Sequence, residues 1–220
     1  MFCCGWSSLL PADVLSIPEL GVIGFHPALL PANRGRHPII WALALGLNET
    51  GSTFFRMVEE ADAGPIINQR RVPIHVTDYA ADLYTKIAAV GCEQLTEIVG
   101  HLNAAPLPLE PQNKLRASSW RKRTPRDGKI DFRMSARSIY NLVRALSRPY
   151  PGAYIETQDA LGKVWRAREV YHHKPLRQDD EPGKVLGNGT RGILVQCGDR
   201  SVLWLTDHEF QTLPEVGSYL

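Results

Sequence analysis

His26 closes an apolar run from Leu20 to Phe25 and is followed at once by the crowded stretch Pro27-Ala28-Leu29-Leu30-Pro31. A histidine just past a buried strand sits where the crevice of an open α/β sheet forms. Histidine is a side chain that can take a proton from an attacking amine. Asp62 stands two residues before Gly64, where the missing side chain lets the backbone approach a ligand closely. A carboxylate near the imidazole would raise its basicity and fix its tautomer. Taken alone, a histidine at a strand end is more often structural than catalytic, so this pair has to be judged by the residues around it. Other reactive side chains weigh less. Cys3, Cys4, Cys92 and Cys197 lack Cys-x-x-Cys spacing and read as reduced thiols, the first two buried in a strand. His172-His173 has no third ligand at short spacing and reads as a solvated strand end. Trp41, Trp120, Trp165 and Trp204 read as core or interface residues, since no basic and aromatic interleaving surrounds them in the sequence.

The elements that must hold His26 and Asp62 follow from hydrophobic period. Met1 to Trp6 and Leu20 to Phe25 read as short buried strands, separated by a helix that starts at Pro11 to Asp13 and exits at Gly21. Prolines 27, 31 and 38 and Gly35 break the next stretch, after which Ile39 to Leu47 reads as a short helix. Gly51 to Val58 and Pro65 to Ile74 alternate as strands do. Asp78 to His101 reads as one long helix, capped at Thr77 or Asp78, with Leu83, Ile87, Val90, Leu95 and Ile98 on one face. From Leu102 to Asp127 the period is lost among prolines and the basic residues Arg116, Arg121, Lys122, Arg123 and Arg126, as in a connector. A helix is expected over Ser135 to Ser147, then a turn at Pro149 to Gly152. Short strands follow at Ala153 to Glu156, Val164 to Val170, Gly192 to Gln196 and Ser201 to Leu205, with a turn at Gly187 to Gly189, which predicts a small barrel or sandwich.

Around the two reactive positions the motifs fall in register. Gly24-Phe25-His26-Pro27-Ala28-Leu29-Leu30-Pro31, Asn33-Arg34-Gly35-Arg36-His37-Pro38-Ile39, Glu49-Thr50-Gly51-Ser52-Thr53 and Ala61-Asp62-Ala63-Gly64-Pro65-Ile66 resemble the signature of the folate-dependent formyltransferases in order and spacing. Asp127 to Phe132, Ile139 to Leu146 and Pro149 to Ala153 resemble the start of that family's C-terminal domain, so nearly the whole chain is covered. The resemblance implies an α/β fold. A partial Rossmann-like sheet over residues 1–105 leads through a linker at 106–130 to a small C-terminal β domain, OB-like, over 131–220. It implies His26 as general acid/base and Asp62 as the carboxylate that tunes it. By the same resemblance Ser8, Leu9, Leu10, Ala28, Leu29, Leu30, Pro31, Val58, Glu59, Glu60 and Ala61 hold 10-formyltetrahydrofolate, and Arg36 contacts the acceptor. No metal is implied. Two departures stand out. The family's asparagine two residues before the histidine falls on Gly24, leaving its role to Asn33, another donor or water. The family's upstream strands are also absent, and the edge left at Met1 to Trp6 predicts association into a homodimer or aggregate.

Composition sets the remaining bounds. With 44% hydrophobic and 22% charged residues over 220 positions, a packed core is expected rather than disorder. A net charge of +2 does not by itself call for nucleic acid. No apolar run is long enough for a membrane span, and the N-terminus lacks a signal-peptide pattern, which places the protein in the cytoplasm. The acceptor is a primary amine. A nucleotide-linked amino sugar is favoured by Arg34-Gly35-Arg36 and by Lys122 to Gly128, initiator methionyl-tRNA by the basic connector. A non-catalytic folate or nucleotide binder is the reading from a different class.

Overall fold

The computed structural model describes residues 1–6, 8–102, 106–156, 161–170 and 180–220. The His172-His173 pair therefore lies outside the described residues. The chain divides into two compact units. The first comprises Met1–Ala42, Leu47–Thr77 and Asp82–Arg123, and the second Leu43–Gly46, Asp78–Ala81 and Thr124–Leu220.

The first unit is a mixed, Rossmann-like α/β structure. Its elements are β1 (Phe2–Cys3), α1 (Ala12–Ser16), β2 (Ile23–His26), β3 (Arg34–Gly35), α2 (Pro38–Ala44), β4 (Glu49–Arg56), β5 (Ile66–Pro73), α3 (Ala80–Leu102) and β6 (Ser119–Trp120). Four strands form the main sheet in the order β1-β2-β4-β5, with β1 parallel to β2 and the other pairs antiparallel. β-branched and aromatic residues fill β4, whose six central residues are all buried, as suits a strand covered on both faces. The register Phe25↔Phe54 and His26↔Thr53 fixes the two faces. Because side chains alternate along a strand, Ile23, Phe25 and Phe54 share one face and Gly24, His26, Thr53 and Phe55 the other.

Helix α3 covers the aromatic face. Ile23, Phe54, Ile67 and Ile98 form the core there, with Phe25, Leu95 and Leu107 against them. The fully buried line of α3 runs Leu83, Ile87, Gly91, Gln94, Ile98, so Gln94 takes a place the sequence gave no reason to bury. Its Nε2 donates to the Ser52 carbonyl at 3.1 Å and to Asn68 Oδ1 at 2.8 Å, which satisfies the donor half of the amide and leaves the buried Oε1 without a partner. The helix starts two residues later than expected, and the carbonyl of Asp78 accepts from Arg144 Nη1 at 3.3 Å instead.

The second unit holds α4 (Ala136–Leu146), β7 (Ala153–Glu156), β8 (Leu161–Val170), β9 (Val185–Gly189), β10 (Gly192–Gln196) and β11 (Val202–His208). The strands form one antiparallel sheet in the order β7-β8-β11-β10-β9. Ser135 caps α4 by accepting from the Ser138 N–H at 3.1 Å, and Ile139, Leu142, Val143 and Leu146 are buried against the sheet. The turn expected at Gly187 to Gly189 is displaced: those residues end β9, Gly189 pairs with Gly192, and the chain reverses at Thr190-Arg191. A two-residue hairpin loop between paired glycines explains the shift.

The cysteines at the chain start also differ from expectation. Cys3 is half-buried and Cys4 exposed, because β1 pairs with β2 on one side only and ends at Cys3. No helix among the described residues is long and apolar enough to cross a membrane.

Candidate active site

The parallel strands β1 and β2 end on the same side of the sheet, so the segments that follow them emerge together. After β1 come Ser8, Leu9 and Leu10; Ser8 is exposed and the Leu9 side chain is 66% exposed. After β2 comes the loop Pro27 to Pro31, fixed by its own carbonyls. Pro27 accepts from Thr50 Oγ1 at 3.3 Å, Ala28 from Thr53 Oγ1 at 2.6 Å and Leu30 from Gln69 Nε2 at 2.9 Å. Ala28 and Leu30 are buried, while Leu29 and Pro31 are half-buried. The peptide between Leu30 and Pro31 is cis.

His26 is 4% exposed. Its Nε2 lies 2.8 Å from the backbone carbonyl of Asn33. A carbonyl can only accept, so the Nε2 proton points at Asn33 and Nδ1 is the nitrogen left to exchange protons. Nδ1 faces Asp62 Oδ2 at 3.6 Å. That gap is too wide for a direct hydrogen bond and leaves two proton acceptors side by side.

Asp62 reaches this position through an unusual backbone. Its φ is +53°, in the left-handed region, and Gly64 packs so tightly that a Cβ there would lie 1.7 Å from the Arg56 carbonyl oxygen. Oδ2 of Asp62 accepts the Gly35 N–H at 2.8 Å. Gly35 has φ +95°, and a Cβ on it would meet the Trp120 carbonyl at 2.3 Å, so glycine is required where β3 pairs with β6.

The Asp62 loop is clamped from a distance. Gln112 Nε2 donates to the carbonyls of Asp62 and Gly64 at 2.8 and 2.7 Å. Its Oε1 accepts from Arg34 Nε and Nη2 at 3.2 and 2.7 Å. Arg34, 8% exposed, also reaches Glu60 Oε1 at 3.0 Å. Sequence reasoning missed Gln112, which lies in the stretch read as a connector and carries no local signal. Glu110 bridging Ile66 and β6 pairing with β3 hold that stretch against the first unit.

Val58, Glu59, Glu60 and Ala61 lead into Asp62 as an exposed segment. Arg36 is exposed, and its N–H donates to the Trp120 carbonyl at 3.2 Å. Gly24 lies on the His26 face two residues upstream, and a Cβ built on it would come within 2.8 Å of Met57 Cγ and 2.9 Å of Phe55 Cζ. An asparagine side chain has no room there unless those two residues move.

A second correction concerns the tryptophans. Trp41 and Trp120 stack at 6.4 Å between centroids, and the guanidinium groups of Arg123 and Arg121 lie 4.7 and 5.3 Å from the Trp41 ring centroid. The basic and aromatic interleaving absent from the linear sequence arises in space, because β6 brings residues 120–123 beside α2. His37, with φ +57°, accepts the Arg123 N–H through Nδ1 at 3.3 Å. Burial lowers its pKa first, then the charges of Arg123, Arg36 and Lys122. Among the described residues no group of three or more His, Cys, Asp or Glu side chains is placed to hold a metal ion.

Comparison with known proteins adds the following. Residues 1–99 match the domain family described as "Formyl transferase", and residues 122–215 the one described as "Formyl transferase, C-terminal domain". The fold is similar to that of HypX from Aquifex aeolicus in complex with tetrahydrofolic acid, at 20% identity and a TM-score of 0.74, over 96% of this chain and 36% of that one. It is similar to an N-formyltransferase from Helicobacter canadensis in complex with folinic acid and dTDP-3-aminofucose, at 18% identity and a TM-score of 0.67, over 84% and 65% of the two chains. Methionyl-tRNA formyltransferase from Clostridium thermocellum matches at 20% identity and a TM-score of 0.64, over 76% and 71%. This chain thus spans about a third of the length of HypX. At these identities the likeness to the three structures is one of fold.

Proposed function

The chain belongs to the formyltransferase family, and from that premise we propose that it transfers a formyl group from 10-formyltetrahydrofolate to the primary amine of a nucleotide-linked amino sugar. The observation that carries this reading is the open pair of acceptors, His26 Nδ1 and Asp62 Oδ2, 3.6 Å apart. An amine attacking a carbonyl carbon must shed a proton, and Nδ1 is the nitrogen able to take it. The Asn33 carbonyl on Nε2 keeps the ring from turning away. His26 then returns the proton to the nitrogen that leaves, so the site ends as it began. Asp62 stabilises the imidazolium between the two transfers, and the Gly35 N–H and Gln112 keep its carboxylate in place.

The folate supplies the reactive carbon. The residues present fit a flat, partly apolar co-substrate, since Leu9 at 66% and Val58 at 40% exposure leave apolar surface uncovered on segments beside a pinned loop. Ser8 to Leu10, Ala28 to Pro31 and Val58 to Ala61 are the segments assigned to hold it. Relatives in complex with tetrahydrofolic acid and folinic acid support the assignment. Arg36 is assigned to the acceptor. The relative bound to dTDP-3-aminofucose supports a sugar, and the methionyl-tRNA formyltransferase supports the alternative of a charged tRNA.

One observation favours a second reading, a folate or nucleotide binder without turnover: Phe55 and Met57 fill the space beside Gly24 where an amide donor would stand. Removing one donor to a developing oxyanion costs about 3 kcal/mol of barrier. The deciding experiment incubates the protein with 10-formyltetrahydrofolate and a panel of nucleotide-linked amino sugars and charged initiator tRNA, reading formyl gain by mass spectrometry. A formylated sugar with wild type and none with His26→Ala is the expected result. Formylated tRNA would replace the acceptor, and retained folate binding with no product would establish the binder.

A further inference from the structure

Ser118, the residue before β6, is bonded three times over to the turn that enters β3. Its N–H donates to the Pro31 carbonyl at 3.4 Å, its Oγ accepts the Asn33 N–H at 2.9 Å, and its carbonyl accepts the Arg34 N–H at 2.9 Å. The last two bonds fall on the two peptide groups that flank Asn33, whose φ of +64° lies in the left-handed region. Asparagine is among the few residues with a side chain that enter this region at low cost. A trans peptide group is planar, with its N–H and C=O on opposite sides. The group between Asn33 and Arg34 therefore reaches Ser118 with its N–H, and with its carbonyl it reaches His26 Nε2 at 2.8 Å.

A neutral imidazole has one proton for two nitrogens, and in this site an acceptor stands opposite each. The Asn33 carbonyl is 2.8 Å from Nε2 and Asp62 Oδ2 is 3.6 Å from Nδ1. The carboxylate is the stronger acceptor, since charge-assisted hydrogen bonds are roughly twice as strong as neutral ones. A shift of about 0.8 Å would bring it within hydrogen-bonding distance and draw the proton to Nδ1. What opposes this is the Asn33 carbonyl. With the proton on Nδ1, Nε2 would turn a lone pair on the Asn33 oxygen at 2.8 Å. Asp62 is fixed by the Gly35 N–H and the Gln112 amide, so the tautomer turns on whether the Asn33 carbonyl keeps its place. We propose that Ser118 is the positioning residue that selects which nitrogen of His26 carries the proton, keeping it on Nε2 and leaving Nδ1 to receive the proton of an attacking amine. The inference rests on the reading of His26 as the group that takes that proton. The hydroxyl is the part that can be removed cleanly, because Ser118 is exposed and its two backbone bonds survive substitution.

The test is 15N NMR of the full chain at a pH where the ring is neutral, with the His26 signals identified by their loss in His26→Ala. Wild type should carry the proton on Nε2. In Ser118→Ala the share carrying it on Nδ1 should rise about fivefold, the net worth of one hydrogen bond, and Ser118→Thr, which keeps the hydroxyl, should restore the wild-type signals. In formyl transfer Ser118→Ala should lower kcat about fivefold and leave KM for the acceptor within about twofold, as expected of a group misplaced for the chemical step and not for binding. A wild-type proton on Nδ1 overturns the proposal, and so does the same tautomer in Ser118→Ala as in wild type. A fall in Tm and in rate without a change of tautomer would make Ser118 structural only and overturn it as well. A changed tautomer with kcat unaltered would keep Ser118 as the selector and remove Nδ1 as the proton acceptor. A changed tautomer in a chain whose wild type formylates nothing would keep the positioning and remove the proposed function.

Discussion

Gln112→Ala tests whether the distant clamp matters to His26 and Asp62, the pair proposed to react. The substitution removes two bonds to backbone carbonyls at 2.8 and 2.7 Å and two from Arg34 at 2.7 and 3.2 Å. Neutral hydrogen bonds contribute about 1 kcal/mol each, and one to a charged donor about 2 kcal/mol. Arg34, 8% exposed, would keep Glu60, whose side chain is 66% exposed and adds little. Allowing for non-additivity, the loss comes to about 3 kcal/mol. With an m-value of roughly 2 kcal/mol/M, the urea midpoint of the first unit falls by about 1.5 M. The Asp62 loop, held in a left-handed backbone, is released at the same time. Displacing a reacting group by about 1 Å can cost about 100-fold in turnover. Gln112→Glu separates the two effects, since it retains the acceptor for Arg34 and loses both donors to the loop. It should recover part of the stability and little of the rate. An unchanged urea midpoint and unchanged formyl transfer in Gln112→Ala would refute the clamp.

Gly64→Ala places a Cβ 1.7 Å from the Arg56 carbonyl and should lower stability by about 2 kcal/mol or more, seen as a fall in Tm; an unchanged Tm would mean the backbone there gives way freely. His37 titrates below its ordinary 6.5, chiefly through burial, so the unfolded chain takes this proton first. Its contribution to stability is lost as pH falls from 6.5 toward the folded value and changes no further below it. In an NMR titration Arg123→Gln should move that midpoint upward, and no movement would show that the Arg123 charge does not act on His37. Burial pushes the Cys197 thiol up to about 12, whereas Cys92 is exposed, so brief alkylation near pH 8 should label Cys92 and spare Cys197. Cys4 is exposed but its pKa is also raised, first by burial, and should label more slowly than Cys92.

Elements governed by local period were legible in the sequence. The strands Ala153–Glu156 and Gly192–Gln196 come from short apolar runs bounded by turn residues, and the helix expected over Ser135 to Ser147 from its apolar spacing. His26 and Asp62 could be singled out through the run of family-like motifs around them, since a histidine at a strand end reads by itself as structural. What joins them to the rest was not legible. Gln112 acts across 50 positions on Asp62, and nothing in a proline-rich stretch distinguishes a clamping amide from a solvated one. Trp41 and Trp120 lie far apart in sequence and meet only because the two-residue strands β3 and β6 pair in parallel. Gln94 was hidden for the opposite reason, a polar residue buried because β4 and β5 offer it partners.

The 50-residue separation between Asp62 and Gln112 also has a meaning in time. A ribosome adds roughly 5–20 residues per second, so the carboxylate precedes its clamp into the growing chain by about 3–10 s. β1, β2 and β4 are made before that interval and β5 early in it, and until its end the loop that presents Asp62 has Gly35 for its carboxylate but no amide for its carbonyls. The geometry between His26 and Asp62 is therefore set late in synthesis, after the framework that carries it.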